Sequence, residues 1–315
     1  MAQPKKFWII LAFAAVYLIW GSTYLGIRFA IASIPPFLMA GTRFFISGVI
    51  MYAIARIFGA PKPDPATWRS ALIIGACLIS AGNGSVTVAE RWVPSSIAAV
   101  LVATVPIYMA LGGWISGTTP PPPRVAWFGL IGGFAGVGIL VGPEFVAPAE
   151  HRYLAFGMSI LLISSLVWSI GSLYSRTAKN SPSPFLAAGQ QMICGGSLLI
   201  LIGIALREYR GFQFSHVTQT SALAFIYLVI IAGLVGFPAY IFILRHCDPA
   251  KVATYAYVNP VVAVFLGTTL AGETFGLRTL LGAGLIIVSV ALVIMAHKIR
   301  PQRTLPIGET AECVR

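Results

Sequence analysis

The chain reads as long apolar runs separated by short polar connectors. A run of about 20 apolar residues is what an α-helix needs to cross the hydrocarbon core of a bilayer. Ten such runs can be placed: Phe7–Phe29, Pro36–Phe58, Trp68–Ala89, Ser95–Trp114, Val125–Gly142, Leu154–Tyr174, Pro184–Leu206, Ser221–Leu244, Val252–Gly272 and Thr279–Ala296. They are continuous rather than alternating, so they predict helices and not barrel strands. The longest internal connector lies near Arg207–Thr220, and the four prolines Pro120–Pro123 before Arg124 make a stiff extended link. No connector can house a soluble catalytic domain. The pattern predicts an all-α membrane protein whose function sits inside its bundle.

Composition agrees. The chain is 57% hydrophobic and only 10% charged. Charged groups are almost never fully buried, so a soluble exterior cannot be built from so few. The first run follows Lys5 and Lys6, as a signal peptide would, but it continues to Phe29 without a small-residue cleavage pattern. It is expected to be a retained helix.

The charges sort by side. With both termini in the cytoplasm, fourteen of the 21 Lys and Arg residues fall on that side, six on the other, and Arg43 inside the second run. This is a positive-inside bias, and it orients a multi-pass protein with both termini in the cytoplasm. The net charge of +12 is then topology rather than a nucleic-acid patch, and no nucleic-acid partner is expected.

The chain also repeats at an offset near 150. Gly21-Ser22-Thr23-Tyr24 matches Gly171-Ser172-Leu173-Tyr174, and Pro36-Phe37-Leu38-Met39-Ala40-Gly41 matches Pro184-Phe185-Leu186-Ala187-Ala188-Gly189. Gly82-Asn83-Gly84 falls opposite Gly236-Phe237-Pro238, Val105-Pro106 opposite Asn259-Pro260, and Arg124 opposite Arg278. The unit has five spans, so the second copy enters the bilayer from the opposite side. The expected architecture is ten transmembrane helices in two inverted five-helix repeats, residues 1–148 and 149–315. Inverted repeats accompany alternating access, with the site near the midplane at Gly- or Pro-interrupted helices of both halves. Gly82, Gly84, Pro106, Gly236, Pro238 and Pro260 are the candidate helix breaks. Gly and Pro also serve packing in transmembrane helices, and that reading stands beside the gating one.

These residues resemble the EamA branch of the drug/metabolite transporter superfamily. The resemblance rests on Trp20-Gly21-Ser22, on Pro36 followed by Arg43-Phe44, on Pro94-Ser95-Ser96-Ile97-Ala98-Ala99 with Pro106, and on Gly272-Glu273 followed by Gly282 and Gly284. It implies an exporter or exchanger of amino acids, metabolites, sugars or drug-like compounds in a bacterial inner membrane. The first repeat departs from it by carrying Thr118 where the second has Glu273.

Arg43 is the most informative single residue. An arginine inside a span is costly unless paired or hydrated, and marks a functional site by default. It either faces a central cavity and attracts an acceptor on a substrate, or is tied to loosened carbonyls or to Glu90. Trp20, Tyr24, Asn83, Gln190, Gln191, Tyr255, Tyr257 and Asn259 are the other candidate substrate-binding residues. Amphipathic aromatics with a few amides suit apolar solutes that carry polar handles. No Asp or Glu lies at the middle of a run, which disfavours a midplane carboxylate relay. Facilitated or weakly coupled transport is expected, with protons as the candidate coupling ion.

Metal, cofactor and nucleophile chemistry find no pattern. His151, His216, His246 and His297 are dispersed, and Cys77, Cys194, Cys247 and Cys313 have no paired spacing. The glycine cluster Gly132–Gly138 follows no strand, so a dinucleotide fingerprint is excluded. The sequence thus predicts a secondary transporter of small organic solutes. A membrane-embedded enzyme or a non-transporting scaffold are the alternatives, and oligomeric state is left open.

Overall fold

The structure is a computed structural model. It describes residues 6–117, 121–146, 152–247, 252, 254–273 and 276–299, without the side chains of 140–146, 257, 294 and 297–299. The boundary at 148/149, Thr118, Cys313 and the Tyr257 side chain lie outside this description.

Among the described residues every regular element is helical. The helices are α1 (Lys6–Ala30), α2 (Pro36–Ile57), α3 (Pro65–Gly75), α4 (Gly84–Ala89), α5 (Ser95–Val102), α6 (Val105–Ile115), α7 (Arg124–Val146), α8 (Arg152–Thr177), α9 (Pro184–Ala205), α10 (Gln219–Tyr227), α11 (Phe237–His246), α12 (Tyr255–Leu270) and α13 (Leu277–Ile299). A π-helical segment, Ala76–Asn83, joins α3 to α4, and another, Leu228–Gly236, joins α10 to α11. Seven helical stretches are long and apolar enough to cross a membrane, and three further apolar helices are shorter.

Local chemistry explains the ends. Asp64 caps α3 by accepting from the Ala66 N–H at 2.9 Å, and Ser183 caps α9 by accepting from Leu186 at 3.3 Å. In both, a proline follows as the first helical residue, where its missing N–H costs nothing. At the other ends, Gly59 and Gly272 turn the chain with φ of 83° and 63°. A left-handed conformation at a helix end is one that only glycine adopts cheaply.

The bundle is apolar outside as well as inside. Ile46, Ile50 and Ile54 on α2, and Ile163, Leu166 and Ile170 on α8, form exposed stripes. Such faces are stable against lipid tails rather than water.

Contacts between distant parts of the chain define the packing. The tightest pairs are α2 with α9 and α7 with α13. α1 packs on α12 and on the second π segment, while α8 packs on α6 and on the first. Glycines bring α2 and α9 to backbone contact. A Cβ on Gly48 would lie 3.0 Å from the Gly189 carbonyl, and one on Gly196 would lie 2.9 Å from the Gly41 carbonyl. Without a hydrophobic force between helices in lipid, such close approach is how they associate.

Two faces can be told apart by helix order. At the distal face α1 ends, and Glu273 accepts from Arg28, Ser95 and Ser96. At the proximal face, where α1 begins, Lys179 bonds Asp64 at 2.5 Å, and Gln190 joins Ser181 to Thr67.

Candidate functional site

The two π segments fall at the glycines singled out in the sequence. The helices do not break there; they widen by one residue per turn. The Gly84 N–H bonds the Ile79 carbonyl and the Phe237 N–H bonds the Ala232 carbonyl, each five residues back. Pro238, which has no N–H to continue the ladder, follows directly in the second. π segments cluster at functional sites because they re-aim side chains and loosen carbonyls. Here hydroxyls from other helices take up those carbonyls: Ser164 of α8 donates to Gly82 at 3.0 Å, and Ser47 of α2 donates to Val229 at 2.8 Å.

Beside these segments lies a cavity of about 70 Å³. α1 contributes Trp20, Thr23 and Tyr24, α2 contributes Arg43 and Phe44, and the first π segment contributes Gly82 and Asn83. Ser164, Ser165 and Trp168 of α8, Phe237 of α11, and Tyr255 and Asn259 of α12 complete most of the wall. Seven residues proposed from sequence are therefore brought together: Trp20, Tyr24, Arg43, Gly82, Asn83, Tyr255 and Asn259.

An aromatic cluster closes the proximal side of this cavity. The Trp20 ring centroid is 4.7 Å from Tyr240, 5.3 Å from Tyr255 and 5.6 Å from Trp168. The Tyr240 hydroxyl is 3.2 Å from Ser172 Oγ. Below it, Tyr17 bonds Thr254 at 2.6 Å, and the Asn259 amide, with its nitrogen turned to satisfy both ends, donates to the carbonyls of Tyr17 and Tyr255.

Arg43 is 2% exposed. Its Nη2 donates weakly to Asn83 Oδ1 at 3.5 Å, its guanidinium carbon lies 4.4 Å from the Phe44 ring centroid, and its Nε has no partner among the described residues. Glu90, just past the end of α4, is 5% exposed, and both of its carboxylate oxygens lack partners among the described residues. Burial pushes the Glu90 carboxyl well above the usual range, with Arg43 pulling the other way. A second, wider cavity of about 390 Å³ opens on the distal face and is lined by Glu90, Arg28 and Arg91.

Other candidates take different places. Gln190 is buried between Ser181 and Thr67 at the proximal face, and Gln191 is buried on α9 with an unpartnered Oε1; neither lines the central cavity. Gly84 packs on Leu199, and Gly236 on Ile19 and Trp20. Pro106, Pro238 and Pro260 stand next to the lining residues Val105, Phe237 and Asn259. Ser164, Ser165 and Thr23 were missed by sequence reading. Hydroxyls of this kind are common in transmembrane helices, and only the register of α1 and α8 against the π segment marks these three.

A helical bundle apolar on its outside, with a polar, aromatic-walled cavity at its centre, is a membrane protein of the solute-handling kind. The comparisons with known proteins agree and go further. The model of the EamA-like transporter family matches twice, over residues 6–142 and 155–295, and the chain belongs to that family. It is a membrane transporter of the EamA type. It is 35% identical to an uncharacterized inner membrane transporter of Escherichia coli (strain K12), YedA, over 93% of this chain and 92% of that one. It is 25% identical to a Salmonella typhimurium (strain LT2) protein named "Probable amino-acid metabolite efflux pump", over 90% of this chain and 94% of that one. A solved crystal structure superposes with a TM-score of 0.65 at 19% identity, covering 93% of this chain and 98% of the other. That last likeness speaks to the fold alone.

Proposed function

We propose that the chain is a secondary transporter that exports small organic solutes across the bacterial inner membrane by alternating access. In this reading residues 1–148 and 149–315 are two inverted five-helix repeats, and both termini are cytoplasmic. Several observations support it. The family model matches once in each half. The contacts of α1 with α12 and the second π segment are answered by those of α8 with α6 and the first. The export direction is supported by the name of the Salmonella relative, and the cytoplasmic termini by the bias of Lys and Arg.

The observation that carries the reading is the central cavity between the halves, which holds a buried arginine with an unpartnered Nε. A buried cation whose hydrogen bonding is this incomplete carries a desolvation cost of several kcal/mol. A site kept at that cost is suited to a ligand that supplies the missing acceptor. The wall is aromatic and apolar elsewhere, so the solute pairs an apolar body with a polar or anionic handle.

The test is uptake by proteoliposomes of the purified protein against a panel of labelled amino acids, organic acids and drug-like amines. Accumulation above that of protein-free vesicles is expected for at least one class. No uptake of any member by protein that remains folded would overturn the reading. Repeating the assay after collapse of the pH gradient reports coupling. A reporter active only outside the cytoplasm, fused at the C-terminus, is expected to stay inactive.

A further inference from the structure

Glu90 stands between the two cavities. Glu90 is among the residues that line the distal vestibule, and its charge is coupled through space to that of Arg43, which lines the central cavity. It is buried, and among the described residues neither of its carboxylate oxygens has a hydrogen-bond partner, nor has Nε of the arginine facing it. Two opposite charges that are buried, and held apart so that neither satisfies the other, make a linked pair: what happens to one sets the state of the other.

We propose that Glu90 is a proton-binding site linked to Arg43, so that the transporter binds a small organic anion and a proton together. This deepens the proposed function and rests on it. The sequence of events is electrostatic and involves no covalent change. The carboxylate of a solute approaches Arg43 and takes up the positive charge that had stabilised ionised Glu90. Glu90 then accepts a proton from the water of the distal vestibule on a carboxylate oxygen. When the anion leaves, Arg43 is again free to stabilise the ionised carboxylate, and the proton departs. The species bound is in effect a whole carboxylic acid, and the load carries no net charge.

The other charged and titratable groups around Glu90 fit this role. From α1, Arg28 lies near it but is held by Glu273 at 2.5 Å, and Tyr24 faces it within the cavity wall. From the segment before α13, Glu273 opposes a second negative charge at Glu90 and so favours its protonation. Arg91, its neighbour in the chain, shares the vestibule and turns its guanidinium over Trp92. α8, packed against α4, presents Gly157 there, whose absent side chain leaves room only for Val93 and Trp92. Arg43 from α2 is therefore the cation whose partnering a solute can change.

The experiment needs no ligand and no transport. Infrared spectra of the purified full chain in detergent are recorded as a function of pH, following the protonated-carboxyl band. A band titrating above the range of an exposed carboxylate is expected, because burial disfavours the charged form. Glu90→Gln is expected to remove it. Arg43→Gln imitates the arrival of an anion by removing the facing charge, and is expected to move the titration up by about one unit or more. Should Glu90→Gln fail to fold, Glu90→Asp must shift the band without removing it. Absence of such a band, its survival in Glu90→Gln, or a midpoint that Arg43→Gln leaves in place would each overturn the proposal. Failure of uptake in proteoliposomes would instead strike the transport reading and leave this titration standing, so the two are separable.

Discussion

Glu273 reaches from the segment before α13 to Arg28 at the end of α1, with Nη1 and Oε1 2.5 Å apart. The same carboxylate accepts from the backbone N–H groups of Ser95 and Ser96, at 3.0 and 3.2 Å, and from both hydroxyls. One acid thus ties three elements together at the distal face and caps the start of α5, where orphan N–H groups and the helix dipole favour an anion. The ion pair itself is half in water, since the Arg28 side chain is 39% exposed. The hydrogen bonds are the stronger part.

Glu273→Ala is expected to lower the thermal unfolding temperature in detergent, by a loss of about 1–3 kcal/mol for stranding buried donors on a once-charged acceptor. Glu273→Gln should lose less, because an amide oxygen still accepts from part of the set. Equal effects of the two variants would show that charge, not hydrogen bonding, holds the distal face. The pH dependence has a definite sign. Burial works against the Glu273 charge, but the bonds from Ser96 and Ser95 outweigh it and hold the carboxyl below the usual carboxylate range. A depressed folded value means the contribution is present above the unfolded value, near 4.3, and fades as the pH falls through the folded one. Acidification below about pH 4 should therefore loosen the distal face in the wild type and have less effect in Glu273→Gln.

The α2–α9 seam predicts a contrast between two glycine-to-alanine changes. A Cβ on Gly189 would lie 2.9 Å from the Tyr52 nitrogen and 3.2 Å from the Gly48 carbonyl, both backbone atoms that cannot swing away. Overpacking of this kind costs about 1–3 kcal/mol. On α7, a Cβ on Gly138 meets nothing within 4 Å. There the same change should be neutral or gain up to about 1 kcal/mol from helix propensity. Measured side by side, Gly189→Ala should unfold at a lower temperature than the wild type and Gly138→Ala at the same temperature or above it. A destabilised Gly138→Ala with an unaffected Gly189→Ala would contradict the packing described.

The hydroxyl rivets on the π segments predict smaller effects. Ser164→Ala and Ser47→Ala each remove a donor from a loosened carbonyl, at Gly82 and Val229. Hydrogen bonds between helices in a membrane are worth about 0.6 kcal/mol on average and rarely above about 1.7. A modest drop in unfolding temperature is expected, with amide hydrogen exchange rising locally in 76–84 or 228–237. Exchange that is unchanged in both would mean that the π segments hold themselves.

The contrast between what the residues announce and what only the packing reveals follows from how each is encoded. Apolar runs, proline caps and the doubled motifs are local and read directly, and the paired glycines foretold where the helices change their pitch. Arg43 was conspicuous because a charge inside an apolar run has no local excuse. Gln190 was singled out because it matches the position next to Arg43 in the repeat, yet it serves Ser181 and Thr67 at the proximal face. A repeat preserves backbone placement and not the task of each side chain. Ser164, Ser165 and Ser47 matter only because α8 and α2 present them to carbonyls far away in the chain. Glu90 looked like a boundary acid, and the lack of a partner for its carboxylate among the described residues is a property of the assembled bundle.

Arg43 predicts a separation of stability from activity. The residue is buried, its Nε is unpartnered, and its one hydrogen bond, to Asn83, is long at 3.5 Å. Its desolvation is poorly repaid by these contacts, so removing the charge relieves a burial cost, while Glu90, losing the facing cation, can stay neutral by holding a proton. Arg43→Gln is therefore expected to unfold at the wild-type temperature or above it. Uptake of a carboxylated solute should fall at least tenfold, which is about 1.4 kcal/mol of lost interaction. Arg43→Lys keeps the charge but presents a point donor in place of a planar fork, and should fall between the two. Loss of uptake together with loss of folding would make Arg43 a structural tie. Normal uptake by folded Arg43→Gln would remove it from the site altogether.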